Sequence, residues 1–144
     1  EVYEYTQRLV KSLKASGFTT TRAKIETFPW HPAAPRAGMP MPAGCYFESH
    51  VPVKLHSGNI PQLRELTKSL GAHCSRNVRK QEDQGMVTIM VTHRDHVSGI
   101  DVFSEAVANL VSRLKELYDV GFVTTEFAIY DTNRAHDTDW ITTQ

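Results

Sequence analysis

Polar and apolar residues alternate along residues 45–56, and this alternation predicts a strand with two different faces. The odd positions are mostly apolar, whereas the even positions include Glu48, His50 and Lys54. A sheet face that carries an acid, an imidazole and a base has to be solvated, paired or used. We therefore expect functional side chains on the polar face of this strand.

Hydrophobic periodicity predicts the other elements of the chain. Apolar residues at helical spacing predict helices over residues 3–16, 61–70 and 100–118. Alternation and β-branched residues predict strands over residues 18–28, 45–56, 73–80, 86–94 and 122–131. Residues 29–44 hold five of the seven prolines and are predicted to form a loop.

The order of these elements predicts an α+β fold. From Cys45 onward it is β-α-β-β-α-β, the ferredoxin-like order, with two helices on one face of an antiparallel sheet. A helix–glycine–strand unit occurs twice, around Gly17 and Gly121, and it predicts an internal duplication. Residues 1–30 would then be the last helix and strand of a first module, 31–44 a proline-rich linker or lid, and 45–144 the ferredoxin-like module. The chain starts within a helical pattern and without methionine, so we expect it to be the C-terminal part of the duplicated fold.

Short motifs are distributed along most of the chain. They are TRAKIE (21–26), YFESHV (46–51), AHCSRN (72–77), VTHR (91–94), YDTN (130–133) and Trp140 near the end. In these motifs the sequence resembles an uncharacterised family of duplicated ferredoxin-like alpha/beta proteins, for which no activity is known. The resemblance implies the duplicated architecture and implies no function.

Alternation also assigns polar side chains of the other strands to one face of the sheet. If the apolar faces all meet the helices, these polar side chains converge on the opposite side. The converging residues are Arg22, Lys24, Glu26, Glu48, His50, Lys54, Thr92, Arg94, Glu126 and Tyr130. Such a set predicts a pocket for a small anionic or polar molecule.

Within this set, residue chemistry predicts different roles. Arg22 and Arg94 can fork onto a carboxylate or phosphate. His50 is the natural proton-transfer group near neutral pH, and Glu48 or Glu126 could orient it or act as its partner acid. The other members are Lys24, Glu26, Lys54, Thr92 and Tyr130, which we expect to contact the ligand. The alternative is a solvent-facing surface of cross-strand ion pairs, and a one-residue register shift would reverse any strand's contribution.

Metal and cofactor motifs are weak in the sequence. Cys45 and Cys74 have no CxxC or zinc-finger spacing, so we expect no structural zinc and two free, buried thiols in a reducing compartment. His93 and His96 lie three residues apart, but His93 falls on the apolar face and could not join His50 in a metal site. No phosphate-binding glycine loop, GxSxG or HExxH motif is present, and we expect no cofactor.

Charge and hydropathy limit the partners. Sixteen Lys and Arg residues balance sixteen Asp and Glu residues, so no global basic field attracts nucleic acid or a membrane surface. No run approaches the ~18 apolar residues of a membrane span, and no signal peptide opens the chain, which favours a cytoplasmic protein. RRM-like RNA binding shares the element order, but the central strands offer only Tyr46 for stacking. A non-catalytic module that forms a homo-oligomer through its sheet stays open as the third alternative.

Overall fold

The computed structural model describes residues 1–75 and 80–134, which form three α-helices and seven strands. The helices are α1 (Val2–Ala15), α2 (Ile60–Ser69) and α3 (Ile100–Lys115). The strands are β1 (Lys24–Thr27), β2 (Tyr46–His56), β3 (His73–Cys74), β4 (Lys80–Gln81), β5 (Met86–Asp95), β6 (Asp119–Val120) and β7 (Thr124–Asp131). The predicted α+β class is confirmed.

The predicted helices and the long strands are found within a few residues of their expected ends. The strand predicted over residues 18–28 is shorter, because only Lys24–Thr27 pairs with β7. The strand predicted over 73–80 appears as β3 and β4 at its two ends, and residues 76–79 lie outside the described residues. Trp140 and the end of the 72–77 motif also lie outside them.

All described strand pairs are antiparallel, and together they make one sheet. The order across the sheet is β1-β7-β2-β5-β3, with β4 also paired to β5 and β6 paired to β2. The two long central strands, β2 and β5, pair continuously from Phe47 and Asp95 to His56 and Met86. This long register sets the relative positions of their polar side chains.

The odd-numbered face of the central strands carries the hydrophobic core. Val53 of β2 and Ile89 of β5 pack with Leu63 of α2 and Leu110 of α3. A second cluster joins Phe47, Phe103 of α3 and Phe127 of β7. Fully burying one such side chain contributes about 1.5–3 kcal/mol, so this face determines the phase of the strands. The predicted phase of β2 and β5 is confirmed, and their even-numbered face is turned away from α2 and α3.

Residues 29–44 form a loop that is anchored beside the start of α3. Ala34 is buried in the cluster of Phe47 and Phe103, and the Ile100 amide donates to the Pro35 carbonyl at 2.9 Å. A Cβ on Gly99 would lie 2.8 Å from the Arg36 carbonyl oxygen, so the approach requires glycine. The linker or lid role stays a prediction.

Gly17 lies just after the C-terminus of helix α1. Gly17 has φ of 85°, and the amides of Gly17 and Phe18 donate to the carbonyls of Lys14 and Leu13 at 3.1 and 3.0 Å. This is the Schellman pattern, which satisfies the last carbonyls of a helix. None of the helices in the described ranges has the length and hydrophobicity needed to cross a membrane.

Candidate functional site

A cavity of about 380 Å³ lies on the even-numbered, polar face of the sheet. We call it the polar-face cavity. It is lined by Arg22, Lys24, Glu26, Glu48, His50, His73, Cys74, Ser75, Thr92, Arg94 and Glu126. Eight of the ten residues predicted for the site are therefore brought together.

Strand pairing explains why these side chains meet. Glu48 lies directly opposite Arg94 of β5 on one side and Glu126 of β7 on the other. His50 is opposite Thr92 of β5 in the same way. Directly opposed side chains have Cβ atoms roughly 4.5–5.5 Å apart, within reach of hydrogen bonds.

Glu48 is the buried centre of the cavity wall, with 2% of its surface exposed. Its Oε1 accepts a hydrogen bond from Lys24 Nζ at 2.8 Å, and its Oε2 accepts from Arg94 Nε at 2.5 Å. Burial alone would raise the pKa of Glu48, but the bonds from His50 and Lys24 and the Arg94 charge outweigh it and hold that pKa well below its usual range. Glu48 is therefore ionised at neutral pH.

The ionised Glu48 fixes the protonation of the His50 ring. His50 Nε2 lies 3.1 Å from Glu48 Oε1, and Nδ1 lies 3.0 Å from Thr92 Oγ1. A carboxylate can only accept, so Nε2 must carry a proton, and the Nδ1 of a neutral ring must accept from the Thr92 hydroxyl. Glu48, His50 and Thr92 thus form a continuous hydrogen-bonded chain that ends in the cavity.

Two further carboxyl groups, those of Glu26 and Glu126, lie on the β7 side of the cavity. Glu126 Oε2 is 4.0 Å from His50 Nε2, and Glu26 is held by Lys24. Burial raises the pKa of Glu126, and the charge and hydrogen bond of Glu26 raise it further against the opposing effect of His50 and Lys24. Glu126 thus holds its proton more readily than an ordinary glutamate.

Arg22 forms a bidentate ion pair with a residue that the sequence pattern did not assign to the site. Its Nε donates to Asp131 Oδ1 at 2.9 Å and its Nη2 to Oδ2 at 2.6 Å. The Tyr46 hydroxyl donates to the same Oδ2 at 2.6 Å, and burial together with this bond raises the pKa of Tyr46 to about 12. The guanidinium fork that was predicted to bind a ligand anion already binds a carboxylate.

An extra residue in β7 explains why Asp131 was missed. Lys24 pairs with Asp131 and Glu26 pairs with Ala128, so β7 has one residue more than β1 between these pairs. Such a bulge shifts the alternation of side chains by one position. It places Asp131 beside Arg22 and Tyr46 on the polar face, where simple alternation placed Tyr130. No feature of the hydrophobic pattern marks this bulge.

Two residues predicted to bind the ligand do not line the cavity. The Tyr130 hydroxyl accepts from Gln7 Nε2 of α1 at 3.2 Å, which places the ring against that helix. Lys54 lies on the predicted face but further along β2, and its Nζ is 2.6 Å from a Glu82 oxygen. Alternation predicted the face of Lys54 correctly, but it does not specify how far along the strand the site extends.

Strand β3 and the residue after it contribute three lining residues that the sequence pattern did not indicate. His73 lies directly opposite Thr92, and it is followed by Cys74 and Ser75. Burial lowers the pKa of His73 and raises the pKa of the Cys74 thiol, so both are favoured in their neutral forms. Cys45 and Cys74 are free and buried, as predicted.

Three donor groups could converge on a metal ion. The ligand atoms of Glu48, His50 and Glu126 lie within 4.8 Å of one another. However, Glu48 already accepts from Lys24 and Arg94, so a cation would meet two positive charges at its most buried ligand. The charges around Glu48 therefore disfavour a metal at this position.

Among the described residues, the aromatic side chain that was considered for stacking RNA bases is not open to solvent. Tyr46, the aromatic residue considered for that role, has 0% of its surface exposed. Arg94 covers its ring at 4.6 Å from the centroid, and Lys24 lies at 5.4 Å. Base recognition on a sheet needs aromatic faces open to solvent.

Comparison of the chain with protein-family models, with curated proteins and with solved structures found no match. Function is therefore inferred from the geometry of the site alone. The resemblance to a duplicated family stays a prediction.

Proposed function

We propose that the polar-face cavity binds a small polar molecule, uncharged or positively charged, and that His50 exchanges protons with it. The observation that carries this proposal is the position of Glu126 beside His50, in a cavity whose cationic side chains are already matched by carboxylates. Perturbed acids beside a histidine in a cleft are a frequent property of functional sites.

The pattern of ion pairs decides between classes of ligand. Arg22 faces Asp131, Arg94 faces Glu48, and Lys24 contacts both Glu26 and Glu48. An anionic ligand would have to displace a carboxylate from a buried or half-buried cation, which is costly. We therefore favour a polar ligand over the anionic one that the sequence also allowed.

Glu126 favours polar ligands that can donate a hydrogen bond. Its carboxyl has no matched cation at short range among the described contacts, and His50 Nε2 lies 4.0 Å away. Burial raises the pKa of Glu126, and the neighbouring Glu26 raises it further. An amine or a hydroxyl placed beside Glu126 would donate a hydrogen bond to its carboxylate. The cavity volume of about 380 Å³ falls within the roughly 300–1,000 Å³ usual for small-molecule sites.

We also propose a ferredoxin-like core with an added edge. The order β7-β2-β5-β3, with core residues of α2 and α3 on one face, supports this assignment. Strand β1 extends the sheet at β7, as expected for a helix–strand unit of a preceding duplicated module. Two free buried thiols support a reducing, cytoplasmic environment.

Amide NMR spectra can test binding with three probes of matched shape: benzylamine, benzyl alcohol and benzoate. We expect benzylamine or benzyl alcohol to shift the amides of Ser75 and Thr92, and benzoate to leave them unchanged. His50→Ala should remove these shifts with little change in melting temperature. Lys54→Gln, on the same face but outside the cavity, is the matched control and should bind as the wild type does. Binding of benzoate alone, or of no probe, would contradict the proposal.

A further inference from the structure

We propose that Thr92 is a nucleophile, with His50 as its general base and Glu48 as the positioning residue, and that the cavity hydrolyses small uncharged esters. This inference rests on the proposed function, because it assigns a reaction to the same cavity. It goes beyond ligand binding by naming the attacking atom, Thr92 Oγ1.

The three groups have the connectivity of a nucleophile, a base and an orienting acid. Thr92 Oγ1 lies 3.0 Å from His50 Nδ1, and His50 Nε2 lies 3.1 Å from Glu48 Oε1. Both distances fall in the roughly 2.6–3.2 Å range that direct proton transfer requires. The same relationship defines hydroxyl nucleophiles on unrelated folds, where it is recognised by geometry and not by position in the chain.

The protonation pattern has the direction that a base needs. Glu48 is bound by Lys24 and Arg94, stays ionised, and accepts the Nε2 proton of His50. The lone pair of a neutral ring then lies on Nδ1, which faces the Thr92 hydroxyl. The ring can therefore take the hydroxyl proton as Oγ1 attacks, and Glu48 stabilises the resulting imidazolium.

The surroundings of Thr92 suit an acyl carbon. Thr92 lines the polar-face cavity and lies between His50 of β2 and His73 of β3 in the sheet register. Arg94 follows two residues later on the same face, where it holds the Glu48 carboxylate that positions the His50 ring. Hydrogen-bonded strands hold all of these groups, so little reorganisation is needed before attack.

The proposed reaction has two balanced steps. In the first, Thr92 Oγ1 bonds to the ester carbonyl carbon and its proton passes to His50 Nδ1. The bond from that carbon to the alcohol oxygen breaks, and the alcohol leaves with the proton. In the second step water attacks the acyl-threonine, gives a proton through Nδ1 to Oγ1, and releases the acid. The net reaction converts an ester and water into an acid and an alcohol.

The test uses p-nitrophenyl acetate, a small uncharged activated ester, with the full chain. We expect rapid release of nitrophenol and, after acid quench, one acetyl group that peptide mass spectrometry locates on Thr92. Thr92→Val keeps the shape and removes the hydroxyl, and His50→Gln removes the base; each should lower the rate at least about 100-fold. Thr92→Ser should retain acylation. Thr88→Val, on the same face of β5, is the matched control and should react as the wild type does.

The outcomes separate this inference from the proposed function when the three NMR probes are measured on the same samples. Probe binding without acetyl on Thr92 overturns the nucleophile and leaves the proposed function standing. Absence of both probe binding and acetylation overturns both. Acetyl groups only on lysines, or equal rates for Thr92→Val and the wild type at unchanged melting temperature, also overturn the nucleophile.

Discussion

Glu48 and Glu126 lie directly opposite each other on β2 and β7, yet their pKa values are shifted in opposite directions. Glu48 is buried and accepts from Lys24, Arg94 and His50, which outweighs the cost of burial. For Glu126 partial burial raises the pKa, and the facing Glu26 raises it further. Two acids with opposite shifts beside one histidine divide the roles: Glu48 stays ionised and positions the ring, whereas Glu126 can hold or release a proton.

We predict that Glu48→Ala destabilises the protein strongly. The substitution leaves the Arg94 guanidinium, whose side chain is 9% exposed, and the Lys24 ammonium without their shared carboxylate. Removing one partner of a buried ion pair typically costs about 3–5 kcal/mol. Urea unfolding should show the loss. Glu116→Ala removes an exposed ion pair with Arg113 and serves as the control, with an expected change of about 0.5 kcal/mol or less. Similar losses for the two variants would contradict this prediction.

The contribution of Glu48 to the free energy of unfolding should depend on pH. Because its folded pKa lies below the ordinary value of 4.5, the unfolded chain binds more protons in the acid range and stability rises with pH there. The stabilisation is fully present above about pH 4.5 and is lost progressively as the pH falls towards the folded pKa. Urea midpoints of the wild type and Glu48→Ala should therefore differ most near neutral pH and converge in acid. A constant difference at every pH would argue against it.

Glu126→Gln should change the stability in the opposite direction to Glu48→Ala. The folded protein holds the Glu126 proton above the ordinary pKa of 4.5, where the unfolded chain has lost it, so stability falls as the pH rises through this range. A neutral glutamine removes that cost. We expect Glu126→Gln to be more stable than the wild type at neutral pH and equal to it in acid. The gain should be at most about 1 kcal/mol, since water screens a part-exposed carboxyl. Thermal melts at the two pH values would measure it, and a loss of stability at neutral pH would refute it.

Gly99→Ala tests how the proline-rich loop is anchored. The added Cβ would lie 2.8 Å from the Arg36 carbonyl oxygen, so the loop or the start of α3 must move. Overpacking of this kind costs typically about 1–3 kcal/mol. Gly58→Ala is the control, because its Cβ would meet only the His56 ring at 3.3 Å. Equal melting temperatures for Gly99→Ala and the wild type would show that the loop is not held there.

Much of the site could be predicted because β2 and β5 obey simple alternation. Their odd residues, such as Val53 and Ile89, are fully buried, and this places Glu48, His50 and Thr92 together on the other face. Long paired strands with one strongly apolar side leave no freedom of register. For this reason the predicted meeting of His50 and Thr92 is found in the structure.

The remainder depends on features that local sequence does not encode. Because of the bulge in β7, Asp131 and not Tyr130 lies on the polar face. Simple alternation of side chains cannot predict an extra residue in a strand. Arg22 was predicted to bind a ligand, since nothing in the sequence near Arg22 indicates that it pairs with Asp131. The two residues are 109 positions apart. Lys54 does not line the cavity because it lies too far along β2, where its ammonium pairs with Glu82. Tertiary pairing, more than residue type, thus decides which charges remain available to a ligand.

A crystal soak with benzylamine gives the sharpest test of ligand binding in the polar-face cavity. We predict that the amine will lie beside Glu126, with its ring inside the cavity. The chain also has an apolar groove of about 550 Å³ beside α3, lined by Val107 and Val111 among others. Density for benzylamine in that groove and none beside His50 would contradict the assignment of the polar-face cavity as the binding site.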